Sequence, residues 1–454
     1  MGLTVEVAET GEVLFDRAGD KRFTAASTTK LVTAAAALER LGTGHRWTTT
    51  LAATGPARQG VLEGDLWVVG SGDPSVTEDR LRSWASHLRD AGIRRIAGDV
   101  VGDDRAFESP AWGRGWMWND LHLGWAAGVS GLQVEPGTIA GRLHPGTEPG
   151  APATLRLDRP TEHLPVDYEV RTGTPGSGLR LQLDPHRPEG PTLVRGWIPS
   201  DADPLRLRFA PTHPTLLFLE RFEEALMSAG VTVDGDLRRP VPDETAPEGG
   251  GDPVAGWRQT FRSDSLGALL SSLLRPSDNQ MAESLLRTMG HEQGREGSAR
   301  EGLGVVDDVL SGWGVAPGAV SLADGSGLSR YDALAPAALV RVLRVAWRQP
   351  WYPVFRDALP APRESGTLRG RFTGIPAEES VRAKTGSLGS VRGLAGYVED
   401  GDGETLLFAL LMNGYDVPGD TATALRDLLV EQLTLYHRAV EPGWPRQRDG
   451  GGSP

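Results

Sequence analysis

Apolar and polar residues alternate over residues 3–8 and again over 12–16, on either side of Glu9, Thr10 and Gly11, which predicts a β-hairpin at the start of the chain. The period then becomes helical. In "STTKLVTAAAALERL", residues 27–41, alanine and leucine occupy most sides, so this helix is predicted to be buried, with Gly42 as its stop. From about residue 47 to about 254, short strand-like pieces at 66–69, 93–101, 154–157 and 205–209 alternate with turns rich in proline and glycine, the texture of an inserted module. Within it, "LRDAGIRRIAGDV" (88–100) and "LMSAGVTVDGDL" (226–237) echo each other as helix-to-strand units, which hints at a pseudo-repeat.

The stretch "VPDETAPEGGGDPVAG" at 241–256 is a linker by composition. Buried-helix patterns return at 266–274 and 280–289, with further helices near 300–310 and 335–347. Three strands follow in meander order at 381–388, 391–398 and 405–412, then a closing helix at 422–436 and a tail, 439–454, expected to be disordered.

Composition narrows the chemistry. A chain of 454 residues, 39% hydrophobic, can fill two or three domains. Its net charge of −13 argues against nucleic acid or an anionic membrane as partner. With no cysteine there is no disulfide or thiolate chemistry, and nine scattered histidines form no zinc-binding pattern, so no metal or cofactor is expected. The longest apolar runs, 31–38 and 406–412, are too short to span a bilayer. The start, "MGLTVEVAETGEVLFDR", lacks the basic and apolar segments of a signal peptide.

Of 47 basic residues only three are lysine: Lys21, Lys30 and Lys384. Arginine does not give up its proton in a protein, whereas a desolvated lysine can become a neutral base. Lys21 sits in a polar turn. Lys30 follows Ser27 by three residues on the predicted helix, within reach of its hydroxyl. Ser-x-x-Lys alone is a weak signal. Two further motifs accompany it, Ser277-Asp278-Asn279 in a polar loop between buried helices and Lys384-Thr385-Gly386 on a predicted strand. Each has a bland reading, a capping loop for the first and a strand end for the second. Together, in this chain order, they match the trio of penicillin-binding proteins and class A β-lactamases. "SGDPS" at 71–75 reads as a structural turn, and the tryptophans at 112, 116, 118 and 125 as either module core or substrate lining. The glycines of "DGSGLSR" (324–330) lack nucleotide-loop spacing, and no Gly-x-Ser-x-Gly elbow occurs, which removes the α/β-hydrolases.

With "LWVVGSGDPSV", "GWMWND", "RPSDNQMAESLLRTMG", "DGSGLSRYDALAP", "ESGTLRGRFTG" and "VRAKTGSLGSVRGLAGYV" around them, these motifs resemble the D-alanyl-D-alanine carboxypeptidase/endopeptidases of peptidase family S13, the class C low-molecular-mass penicillin-binding proteins, over roughly residues 3–435. The resemblance implies an α+β fold: a penicillin-recognition serine peptidase domain of the β-lactamase/transpeptidase type, with an antiparallel sheet flanked by helices, split between 1–46 and 255–438 by a strand-rich insert at 47–254 that could form two subdomains. It also implies Ser27 as nucleophile, Lys30 as its base with a pKa depressed by burial and by Lys384, Ser277 as proton relay, and Asn279 as a partner of Lys30 or of the substrate amide. The N–H groups of Ser27 and Ser387 would form the oxyanion hole. Lys384 and Thr385 would receive the terminal carboxylate, and a side chain in place of Gly386 would block the substrate backbone. Asp120, Trp118, Arg330 and Leu388 would line a pocket for a diaminopimelate side chain.

The implied partners are peptidoglycan peptides and β-lactams, met on the outer side of the cytoplasmic membrane, which requires an export leader upstream of Met1. A β-lactamase or esterase on the same scaffold, or a non-catalytic wall-binding protein, are the alternatives. The balance of carboxypeptidase and endopeptidase activity and the oligomeric state are not legible in the residues.

Overall fold

A computed structural model describes residues 1–185, 191–247, 256–294 and 297–438. Residues 248–255 of the linker and the tail 439–454 therefore lie outside the described residues. The main sheet is antiparallel and five-stranded, in the order Val13–Arg17, Gly2–Val7, Thr405–Asn413, Val391–Glu399, Arg382–Leu388. Its central strand, "TLLFALLMN", is apolar nearly throughout because both faces are covered. Leu407, Ala409 and Leu411 point into one core with the helix that follows Ser27 and its neighbours, and Leu406, Phe408, Leu410 and Met412 into a second beneath the closing helix, Gly419–Thr434.

The helix Thr29–Leu41 is buried from Thr29 to Leu38 and packs against Asn279–His291, Ala299–Gly312 and Pro336–Trp347. Its run of small alanines lets three neighbours approach, and Gly42, with φ of 75°, caps it by donating to the Leu38 carbonyl.

The segment between the first two motifs builds its own sheet, ordered Leu237–Arg238, Val100–Asp103, Leu66–Gly70, Thr48–Ala53, Arg258–Arg262. Helices Glu78–Asp90 and Pro214–Ser228 cover it, with Trp84 meeting Phe218 and Phe222. The echoing sequences are spatial neighbours: Thr232–Val233 pairs parallel with Arg95–Ile96, and Leu237–Arg238 parallel with Val100 and Val101. The strand expected over 93–101 is thus two short ones, because Arg95–Ile96 and Val100–Asp103 belong to different sheets. A small four-stranded sheet, ordered Thr232–Val233, Arg95–Ile96, Val61–Leu62, Ala57–Arg58, and two three-stranded sheets complete the segment, and a hydrophobic cluster runs through it from Leu51 to Val231. "SGDPS" is a turn in which the buried Asp73 carboxylate accepts from the N–H and hydroxyl of Ser75. Among the described residues no helix is long and apolar enough to cross a membrane.

This segment is bolted to the helix Asn279–His291. The buried Arg287 guanidinium donates to the carbonyls of Glu108 and Pro110, Gln133 Nε2 donates to Ser284 Oγ, and Gln280 Nε2 donates to the Gly128 carbonyl. These bonds bring 108–133 to the edge of the motif cluster.

Candidate active site

Ser27 occupies a single 3₁₀ turn, Ala26–Thr28, and α geometry begins only at Thr29. The residue before it, Ala26, has φ of 49°, a left-handed conformation that L residues rarely hold. Ser277 has φ of 67°. Two strained positions flanking one pocket are the pattern of a functional site that the surrounding packing holds in place.

Lys30 is fully buried, and its Nζ reaches Ser27 Oγ at 3.1 Å, Asn279 Oδ1 at 2.5 Å and the Ser326 carbonyl at 2.6 Å. Asn279 is in turn held by donating from Nδ2 to the Trp125 carbonyl at 2.8 Å, while Asp278 caps the helix by accepting from the Met281 N–H. The loop that offers Ser326 is wound around Asp324, whose carboxylate accepts from the N–H groups of Ser326, Gly327 and Ser329 and from the Trp116 indole at 2.7 Å. Glu283, one turn beyond Asn279 on the same helix face, accepts from the N–H groups of Gly325 and Ser326. Asp332 closes the loop through the N–H of Ala323.

Burial lowers the Lys30 pKa from 10.5 to about 8, against the opposing pull of Asp324, Asp278, Glu283 and Asp332. Of the two causes expected from the sequence, burial and Lys384, burial is the one that lowers it, and nearby carboxylates limit the shift. Lys384 itself is held well below 10.5, first by burial and then by the charges of Lys30 and Arg426. Beneath Lys30, burial and the Asp324 charge raise Glu283 to about 8, and the same two causes raise Asp332 well above its ordinary value.

A pocket of about 350 Å³ opens above this cluster, lined by Ser27, Asn279, Asp120, Trp125, Leu328, Arg330, Ser387 and Leu388. Asp120 is pushed up by burial and drawn down by Arg330, so the pocket is lined by an acid and a base that feel each other's charge. Trp118 is 57% exposed and lies outside this lining, as do Thr385 and Gly386. Trp125, one of the four tryptophans of undecided role, takes the place that Trp118 was expected to fill, whereas Trp116 is buried against Asp324. Ser277 borders a larger neighbouring cleft together with Asn279, and its hydroxyl joins none of the hydrogen bonds that connect Ser27, Lys30 and Asn279. Lys384 donates to the Thr385 carbonyl and Thr385 Oγ1 to Thr367 Oγ1, both at the edge strand of the main sheet.

Glu283 and Ser326 escaped sequence reasoning, although Asn279, Glu283 and Arg287 recur at i, i+4 and i+8, a spacing that lines one helix face. Gly386 has a reason other than substrate clearance. A Cβ there would lie 2.6 Å from the Ala25 carbonyl and 3.3 Å from the Ser27 N, so glycine lets the edge strand press against the Ser27 turn. Gly386→Ala is expected to push the two apart and slow acylation by benzylpenicillin about tenfold to a hundredfold, a misplacement effect. Stopped-flow acylation rates check this; a rate within twofold of the parent chain would refute it.

Residues 1–434 match the D-Ala-D-Ala carboxypeptidase 3 (S13) family. The chain is 35% identical to a D-alanyl-D-alanine carboxypeptidase of Actinomadura sp. (strain R39), over 97% of this chain and 82% of that one. Among solved structures it is similar to penicillin binding protein 4 (dacB) from Haemophilus influenzae, with a TM-score of 0.83 at 27% identity over 96% of each chain. The same protein complexed with a novel β-lactam gives a TM-score of 0.77 at 25% identity, again over 96% of each chain.

Proposed function

The chain belongs to the D-Ala-D-Ala carboxypeptidase 3 (S13) family, and from that premise we propose how its own residues carry the reaction. It is a serine-type D-Ala-D-Ala carboxypeptidase that acts on peptidoglycan stem peptides, outside the cytoplasmic membrane, through an acyl-serine intermediate. The observation that carries the residue roles is the buried Lys30 amine, lowered to about 8 and 3.1 Å from Ser27 Oγ.

In the neutral form Lys30 takes the Ser27 proton as Oγ adds to the carbonyl of the penultimate D-alanine. The N–H groups of Ser27 and Ser387 receive the developing oxyanion, each such donor contributing about 3 kcal/mol. The C–N bond to the terminal D-alanine then breaks, and a proton relayed through Ser277 leaves with that amine. Water hydrolyses the remaining ester and restores Ser27. Lys384 and Thr385 attract the terminal carboxylate. Asp120 and Arg330, which line the pocket with Trp125 and Leu388, suit a stem residue whose side chain carries both an ammonium and a carboxylate, such as diaminopimelate.

Incubation with benzylpenicillin followed by intact-protein mass spectrometry tests this. A persistent stoichiometric adduct that maps to Ser27 and is missing in Ser27→Ala is the expected result. An adduct that turns over within seconds would point to a β-lactamase, and none on folded protein would overturn the assignment of Ser27.

A further inference from the structure

The strands Thr154–Leu157, Ile139–His144 and Leu205–Phe209 form an antiparallel sheet. Its inner positions Ile139, Leu143 and Phe209 are buried in the segment's core. Its outer positions carry Arg142, Arg156, Arg206 and Arg208, all exposed. The register sets Arg142 directly opposite both Arg156 and Arg206, so three guanidinium-bearing residues stand in one row across the sheet. Like charges at directly opposed positions weaken strand pairing, and a chain of net charge −13 has no general excess of base to spread there.

Little within the fold neutralises the row. Asp158 approaches Arg206 at 3.9 Å and Arg208 feels the charge of Glu135, but among the described residues Arg142 and Arg156 have no acid within ion-pair distance. The row also has a direction. Arg206 and Arg208, on the edge strand, line a cleft of about 1120 Å³ that Trp125, Ser277 and Asn279 line as well. Trp125 and Asn279 line the catalytic pocket as well, so the arginine row and Ser27 are joined by one continuous surface.

We propose that this arginine row is a docking site for the free carboxylates of polymeric peptidoglycan, holding one stretch of the polymer on the sheet while a stem peptide of the same polymer enters the pocket at Ser27. The inference rests on the carboxypeptidase reading and extends it to the size of the substrate. Arginine suits the task because its planar fork binds carboxylates bidentately and stays charged at any working pH. The volume of the cleft, about 1120 Å³ beside a pocket of about 350 Å³, is the reason to choose a polymer over a lone stem peptide, which the pocket would take unaided.

The test is co-sedimentation with purified wall sacculi stripped of phosphate polymers, using the parent chain, the triple variant Arg142→Gln/Arg156→Gln/Arg206→Gln, and the corresponding triple lysine variant. The parent should be retained at low salt and released at high salt, as exposed charge pairing requires. The glutamine variant should bind about tenfold more weakly, as should the parent on sacculi whose carboxylates have been amidated, while the lysine variant stays within about threefold. Lack of retention of the parent, equal retention of the glutamine variant, or retention only on sacculi that keep their phosphate polymers would each overturn the proposal. Acylation by benzylpenicillin, measured on the same preparations, reports on the catalytic reading separately, since failure there would leave sacculus binding intact.

Discussion

Replacing Lys30 by arginine is expected to lower the rate of acylation by benzylpenicillin about a thousandfold while leaving the charge of the site in place. The guanidinium cannot release a proton to become a base, and its planar head cannot reproduce the three short contacts that Nζ makes with Ser27, Asn279 and the Ser326 carbonyl. In the parent chain the same logic fixes the pH dependence. Only the neutral amine accepts the serine proton, and burial brings its pKa from 10.5 down to about 8. At pH 7 roughly a tenth of the molecules then carry the reactive form, and the acylation rate should climb through pH 8 and level off about one unit above it. Single-turnover acylation rates between pH 6 and 10 read both effects. An arginine variant within tenfold of the parent, or a rate that is flat from pH 7 to 9, would remove Lys30 from the role of base.

Asp324→Ala should lower stability by about 3–5 kcal/mol and impair acylation at the same time. Asp324 is fully buried and organises its loop: without it the N–H groups of Gly327 and Ser329 and the Trp116 indole lose their acceptors in a dry interior. Each stranded donor costs roughly 1–3 kcal/mol. Relief of the repulsion that Asp324 exerts on Glu283 and Asp332 offsets part of the loss, since both carboxyls are raised in part by its charge. Activity falls because the Ser326 carbonyl, a ligand of Lys30, sits at the centre of the released loop. The pH profile adds a sign that simple misfolding would not produce. Asp324 is the first of the charges that hold the Lys30 pKa up, so whatever activity remains should have its rising limb moved to lower pH. Thermal unfolding and the pH profile of acylation measure the two arms; an unchanged unfolding temperature would refute the structural role of Asp324.

The family and the reactive trio are legible in the chain by themselves, because each motif is short and its chemistry depends on local spacing. Ser27 and Lys30 are one turn apart whatever surrounds them, and the unbroken apolar run in "TLLFALLMN" suits a strand covered on both faces. Even the weak echo between 88–100 and 226–237 corresponds to two units paired in parallel, since similar local patterns form similar edges. Depth and neighbourhood are a different matter. That carboxylates oppose the burial of Lys30, that Gly386 clears the Ala25 carbonyl, and that Trp125 rather than Trp118 lines the pocket all depend on which segments pack together. The arginine row shows the limit most clearly. Arg142, Arg156 and Arg206 are spread along 65 residues and share no motif, and only the register of two strand pairings sets them side by side. Periodicity records which way a side chain points along its own element, whereas the free energy of desolvation and of charge pairing is set by groups distant in the chain that tertiary packing alone brings together.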